Sequence, residues 1–178
     1  MVAVRFCSAC GARLPSEPPA TCAVCGTSHW RNPKPCANGI VVDRDKVLLA
    51  RRAYAPWQGA WASPGGFCNV GEHPAETVVR EILEETGIHV EVTGYLGVWV
   101  DRYADMPSDE DEQINVAYYL AAPTGASPGS ADPSEVSELG WFGWDELPDD
   151  LAPPGTLAAV LEVTKVALHG VLPPLDLG

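Results

Sequence analysis

Hydrophobic and polar positions along "CANGIVVDRDKVLLARRA" predict a β-hairpin, with a strand over 36–43, a turn at Asp43 to Asp45 and a strand over 46–52. The period changes in "HPAETVVREILEETGI". There Val78, Val79, Ile82 and Leu83 fall in one arc of about 140° on a helical wheel, a core face. Glu81, Glu84 and Glu85 fill an arc of about 100° on the other side, with Arg80 at its edge. Pro74 suits the first helical position, His73 or Glu72 the cap, and Gly87 the stop before β-branched Ile88. The result is a helix of about three turns. Strand patterns return at 89–101 and 113–122, and "VSELGWFGWDELP" reads as a strand and turn. Gly155 to His169 makes a closing amphipathic helix. "APWQGAWASPGG" reads as an irregular loop and 123–135 as a mobile surface loop. Strands split by helices at this length predict an α/β fold with a mixed sheet covered on both sides.

Three glutamates on one helical face need a reason. Like charges at these spacings cost roughly 0.2–0.5 kcal/mol per pair. A solvated acidic face is the bland alternative; the sharper reading is that the carboxylates hold a cation. Ahead of the helix, a loop opened by Gly65 and Gly66 and closed by Gly71 and Glu72 lets the backbone come close to a ligand.

Charge narrows the partners. Net charge is −13, yet residues 1–52 carry eight of the eleven Lys and Arg against three acids, net +5. The remainder carries −18, which argues against broad nucleic-acid binding and fits a phosphate substrate only if metal ions intervene. With 46% hydrophobic and 20% charged residues the chain is globular. No run of about 18 apolar residues could span a bilayer and no early segment has signal-peptide form, so a cytoplasmic protein is expected.

Four of the six cysteines form two C-x2-C pairs, Cys7/Cys10 and Cys22/Cys25, each followed by glycine. Four thiolates at this spacing can surround one tetrahedral Zn²⁺ in a closed, structural site, with disulfides as the alternative. Residues 1–34 therefore read as a zinc ribbon and 35–178 as the main domain. Cys36 and Cys68 read as small buried hydrophobes, Cys68 with a redox alternative because it precedes the acidic helix. His29, His73, His89 and His169 show no ligand spacing.

The central segment resembles the Nudix hydrolase signature: Gly, five residues, Glu, seven residues, then Arg-Glu-aliphatic-x-Glu-Glu-x-Gly-aliphatic. Gly66, Glu72, Arg80-Glu81-Ile82, Glu84-Glu85 and Gly87-Ile88 meet every spacing. The likeness covers roughly 36–165, and the ribbon leading into "RNPKP" is similar to the zinc-ribbon subset, which includes hydrolases of NADH, ADP-ribose and FAD. The resemblance implies an α/β/α sandwich that hydrolyses a nucleoside diphosphate linked to another group. It places Mg²⁺ or Mn²⁺ on Glu81, Glu84 and Glu85 with the Gly65 carbonyl, and has Arg80 pair with Glu72 to brace the loop. In-line attack of a coordinated water on one phosphorus is the implied reaction.

In this family the general base varies, and of Asp109, Glu110, Asp111 and Glu112 the preferred base or further ligand is Glu112. One of Arg51 and Arg52 is expected at the phosphates, since strand neighbours point to opposite faces. Trp57, Trp61, Trp99 and Tyr103 are candidates to stack on a base or flavin. NADH pyrophosphatases of the subset carry a motif close to Ser-Gln-Pro-Trp-Pro-Phe-Pro after the box. Here "GYLGVWVDRYADMPS" lacks it, which favours ADP-ribose, then FAD, over NADH. A non-catalytic nucleotide sensor using the basic ribbon is the rival class, and the family implies a homodimer.

Overall fold

The computed structural model describes residues 4–102, 113–125 and 132–168. The fold is an α/β/α sandwich on a mixed sheet, preceded by a small cysteine-bearing ribbon. In the ribbon, β1 (Ala20–Thr21) pairs antiparallel with β2 (Ser28–His29), and Phe6 bridges Arg13. Its core is Cys7, Leu14 and Cys22.

The sheet is built around β3 (Lys34–Asp43). It forms the expected hairpin with β4 (Lys46–Arg52), pairing Val42 with Val47 and Asp43 with Lys46. The two strands then diverge. β6 (Gly65–Phe67) pairs with the first half of β3, while β5 (Trp61–Ala62) and β9 (Val136–Gly143) pair with β4. β10 (Leu151–Ala152) runs parallel to β5. On its other side β3 lies parallel to β8 (Gln113–Pro123), which is antiparallel to the outer β7 (Val90–Arg102).

Alternation along β3 and β8 makes two cores. Ile40, Ile114, Val116 and Tyr118 face α2 (Thr156–Leu168) through Leu157, Val160 and Leu161. Ala37, Val41, Ala117 and Ala121 face α1 (Pro74–Thr86) through Val78 and Ile82. A Cβ on Gly39 would fall 2.5 Å from Ile82, so α1 lies hard against β3.

Three expectations need correction. β3 begins at Lys34, two residues before the expected start at 36, and so takes in Pro35; proline's fixed φ suits the start of a strand. The "APWQGAWASPGG" loop contains β5 and the start of β6, strands of two and three residues that are too short for alternation to announce. The apolar arc of α1 is also turned relative to the wheel. Thr77, Val78, Ile82 and Thr86 are buried, while Val79 and Leu83 are more than one-third exposed. The threonines can enter because Thr77 Oγ1 donates to Glu72 and Thr86 Oγ1 donates to the Ile82 carbonyl. This rotation carries Glu81 and Glu85 inward and leaves Glu84 outside.

Candidate active site

The helix that carries the carboxylates is fixed at both ends. His73 is the N-cap: its Nδ1 accepts from the Ala75 N–H at 3.1 Å, and its own N–H donates to Glu76 Oε2 at 2.9 Å. That reciprocal box satisfies two orphan donors. At the other end Gly87, at φ +66°, donates to the Leu83 carbonyl.

The loop before the helix is tied by one guanidinium. Arg80 grips Glu72 with two bonds, Nε to Oε1 at 2.7 Å and Nη2 to Oε2 at 2.9 Å, and Nη2 also reaches the Phe67 carbonyl at 3.2 Å. Its Nη1 donates to Glu81 at 2.7 Å and to Glu84 at 3.0 Å. The Arg80 guanidinium, with donors from the Asn69 N–H and Thr77 hydroxyl, lowers Glu72 to about 2. Glu81 and Glu84 draw on the same cation, which relieves part of their repulsion.

Glu85 has the opposite environment. Burial, with the Glu81 and Glu135 carboxylates adding to it, pushes it up to about 8, against the Gly65 N–H and the Arg52 charge. The Gly65 N–H donates to Glu85 Oε2 at 3.0 Å. Glu81 is also raised, by burial first, against the Arg80 hydrogen bond. A Cβ at Gly66 would lie 2.5 Å from Glu81 Oε1, so only glycine allows β6 this close to the carboxylate.

These groups open on a cavity of about 350 Å³. Its carboxylate side holds Glu81, Glu85 and Glu135 with Gly65, Gly66, Asn69 and Arg80. Arg52, Tyr54 and Trp57 form a neighbouring wall, with Arg52 stacked 5.0 Å from the Tyr54 ring centroid and 6.0 Å from that of Trp57. Arg52 Nε donates to the Pro56 carbonyl at 2.7 Å, while its Nη2 is buried without a partner. Trp57 holds φ at +56°, uncommon for so bulky a residue. Cys36, Ile114, Val116, Tyr118, Ala152 and Pro153 also line the cavity.

The sequence candidates separate on this map. Arg52 lines the cavity, whereas Arg51 turns away, donating to the Gly59 carbonyl at 2.8 Å and pairing with Glu138 at 3.3 Å. Trp61 and Trp99 are core residues against Phe142 and Tyr118, leaving Trp57 at the cavity. Cys36 is buried and raised to about 12, chiefly by burial, in keeping with a small hydrophobe; Cys68 is half-buried against the α1 core. Tyr103, Asp109, Glu110, Asp111, Glu112 and His169 lie outside the described residues. Sequence reasoning missed Glu135, hidden in a segment read as a mobile loop. The only signal was its place just before the strand "VSELGWF".

The ribbon holds a second candidate site. The Sγ atoms of Cys7, Cys10, Cys22 and Cys25 all lie within 4.8 Å of one another. The Thr27 hydroxyl and N–H lower Cys25 to about 6, and N–H groups of Cys25 and Val24 lower Cys22. Donors that favour thiolates, on an all-sulfur set, suit a tetrahedral soft-metal site. His29 Nε2 sits 3.3 Å from Cys7 Sγ, a contact no ligand spacing revealed.

Comparison with known proteins places this geometry. Residues 33–160 match the NUDIX domain. NAD-capped RNA hydrolase NudC of Vibrio cholerae is 34% identical over 161 residues, covering 89% of this chain and 56% of that protein. The chain spans 56% to 61% of the length of the first curated relatives it matches. A NUDIX hydrolase structure from Nitrosomonas europaea superposes with a TM-score of 0.77 at 28% identity, covering 93% of both chains. An ADP-ribose pyrophosphatase structure from Streptococcus suis superposes with a TM-score of 0.56 at 28% identity, over 75% of this chain and 93% of that one. The domain match, the structural neighbours and the unbroken signature agree: this chain belongs to the Nudix hydrolase family.

Proposed function

We propose that this protein hydrolyses the pyrophosphate bond of a nucleoside diphosphate linked to another group, with ADP-ribose the preferred substrate, giving AMP and ribose 5-phosphate. FAD is the next candidate. The observation that carries the reading is one cavity lined by Glu81, Glu85 and Glu135 together with Arg52, whose charge acts on Glu85. Crowded carboxylates of raised pKa suit a hard divalent cation, Mg²⁺ or Mn²⁺, which carboxylates and substrate phosphate oxygens hold together. Such a cation neutralises phosphate charge and acidifies water.

The chain's own residues do the rest. Glu81, Glu85 and exposed Glu84 would hold the cation together with the Gly65 carbonyl, and Glu135 would add a carboxylate beside them. Arg80 and Glu72 hold the loop so that Gly65 and Gly66 stay against the carboxylates. Arg52, held near the Tyr54 and Trp57 rings, would present its Nη2 to a phosphate oxygen. Glu112, which lies outside the described residues, and Glu135 compete for the role of base. Zn²⁺ on the four ribbon thiolates would be structural, since a closed four-sulfur site leaves no open position.

A second reading has one observation in its favour: the NudC relatives are named as NAD-capped RNA hydrolases. The −18 charge beyond residue 52 and the missing Ser-Gln-Pro-Trp-Pro-Phe-Pro stretch weigh against it. Turnover with Mg²⁺ or Mn²⁺ on ADP-ribose, FAD, NADH, NAD⁺ and ATP, following AMP release, and on NAD-capped RNA, following release of nicotinamide mononucleotide, separates the two. Highest kcat/KM on ADP-ribose, lost in Glu85→Gln, is the expected result. Preference for the capped RNA would reverse the substrate assignment, and no turnover on any would remove the reading.

A further inference from the structure

The two cysteine knuckles of the ribbon are near copies in their backbone and differ in their side-chain donors. In the first, the Cys7 N–H donates to the Ala12 carbonyl at 2.7 Å and the Gly11 N–H to the Cys7 carbonyl at 2.9 Å. In the second, the Cys22 N–H donates to the Thr27 carbonyl and the Gly26 N–H to the Cys22 carbonyl, both at 2.9 Å. Gly11 and Gly26 turn the chain alike, at φ +73° and +76°. In the second knuckle the fifth residue after the leading cysteine is Thr27, whose hydroxyl lies 3.2 Å from Cys25 Sγ. Its counterpart in the first is Ala12, which has no hydroxyl to give.

The first knuckle draws on the second instead. His29, on β2 opposite Ala20, reaches back across the ribbon and places Nε2 3.3 Å from Cys7 Sγ. Cys7 is 3% exposed, so water offers that sulfur little solvation, and a charge there needs another donor. The set of ligand atoms that lie within 4.8 Å of one another is four sulfurs, without His29. The ring is therefore placed to serve a sulfur and not the cation. Four thiolates outweigh the charge of one Zn²⁺, and a donor to sulfur spreads the excess and fixes the ligand's orientation. Both the neutral ring with its proton on Nε2 and the imidazolium can donate.

We propose that His29 is a positioning residue of the ribbon's metal site, its Nε2–H donating to the Cys7 thiolate so that this buried sulfur keeps its charge and its place on Zn²⁺. The proposal rests on the zinc reading of the ribbon above. The test loads the full chain and its His29→Phe and His29→Gln variants with Co²⁺, then displaces it with Zn²⁺. The sulfur-to-cobalt charge-transfer band reports thiolate ligation alone, so the carboxylates of the main domain do not enter the reading. His29→Phe keeps a ring and loses the donor, whereas His29→Gln returns an amide N–H at similar reach. Zn²⁺ affinity should fall about 10–100-fold in His29→Phe, the usual cost of removing such an outer partner. The band should also move to longer wavelength, because a sulfur without its donor gives up electron density more easily. His29→Gln should recover most of both. Equal affinity and band position in wild type and His29→Phe overturn the inference. So does a loss that His29→Gln shares in full, since that marks packing of the ring. A His29→Phe chain with no band, beside a His29→Gln chain like wild type, upholds it. If wild type itself gives no charge-transfer band, the zinc reading fails and takes the inference with it.

Discussion

Glu72 and Glu85 belong to one motif and sit in opposite surroundings. Glu72 is held by a bidentate guanidinium, an N–H and a hydroxyl, and is drawn down to about 2. Glu85 is buried beside two other carboxylates and is pushed up to about 8. The first arrangement is complete in itself and stabilises the loop. The second is electrostatically unfinished, and a divalent cation would finish it. One short segment thus holds one acid fully paired and another buried among like charges, the kind of perturbed group that active sites collect.

Breaking the unfinished side should have the largest effect. Glu85→Gln is expected to lower kcat by about 10²–10³, the scale of removing a principal electrostatic element. The same change should stabilise the metal-free protein near pH 8. A carboxyl whose folded pKa is raised binds its proton more tightly when folded. Its penalty is therefore absent below the unfolded pKa and grows as pH rises towards about 8. Wild type should lose stability relative to Glu85→Gln across that window in thermal melts.

The two adjacent arginines sharpen the comparison next. Arg52→Ala should raise KM for ADP-ribose about tenfold or more, as expected for a charge-assisted hydrogen bond. Arg51→Ala, whose side chain turns to Glu138 and the Gly59 carbonyl, should leave kcat/KM within about twofold, as for a surface pair. Equal effects would erase the distinction drawn from the cavity.

On the completed side, Glu72→Gln should act mainly on acid stability. A depressed carboxylate contributes stability above its unfolded pKa and loses it as pH falls towards about 2. Wild type should therefore lose more stability than Glu72→Gln as pH drops through that window, read by acid titration of circular dichroism. The smallest effect on turnover should come from Cys25→Ser. It is expected to abolish stoichiometric zinc, measured by metal analysis, while kcat of the remaining folded protein changes little.

Long elements and the signature were legible in the sequence because period and spacing survive in one dimension. β4 ends where alternation placed it, and α1 starts at the expected proline and stops before the expected glycine. The grouping of Glu81 and Glu85, which line one cavity, was legible for the same reason. What stayed hidden depends on three dimensions. The α1 face is rotated because threonine hydroxyls can be satisfied locally, which a hydropathy wheel cannot register. Glu135 reaches the cavity through the turn at Asp132, whose N–H donates to the Glu85 carbonyl at 3.1 Å, a contact between distant segments. The choice between Arg51 and Arg52 was left open by strand parity and decided by the packing of Tyr54 and Trp57.

The central claim is that Glu85 is kept raised for a cation, and Mn²⁺ titration by calorimetry in buffers of differing ionisation enthalpy tests it most directly. The account predicts Mn²⁺ binding to wild type at pH 7 with net proton release, as a carboxyl raised to about 8 gives up its proton. It predicts that Glu85→Gln loses both the affinity and the proton release. Equal Mn²⁺ affinity in the two proteins, or binding without proton release, would contradict it.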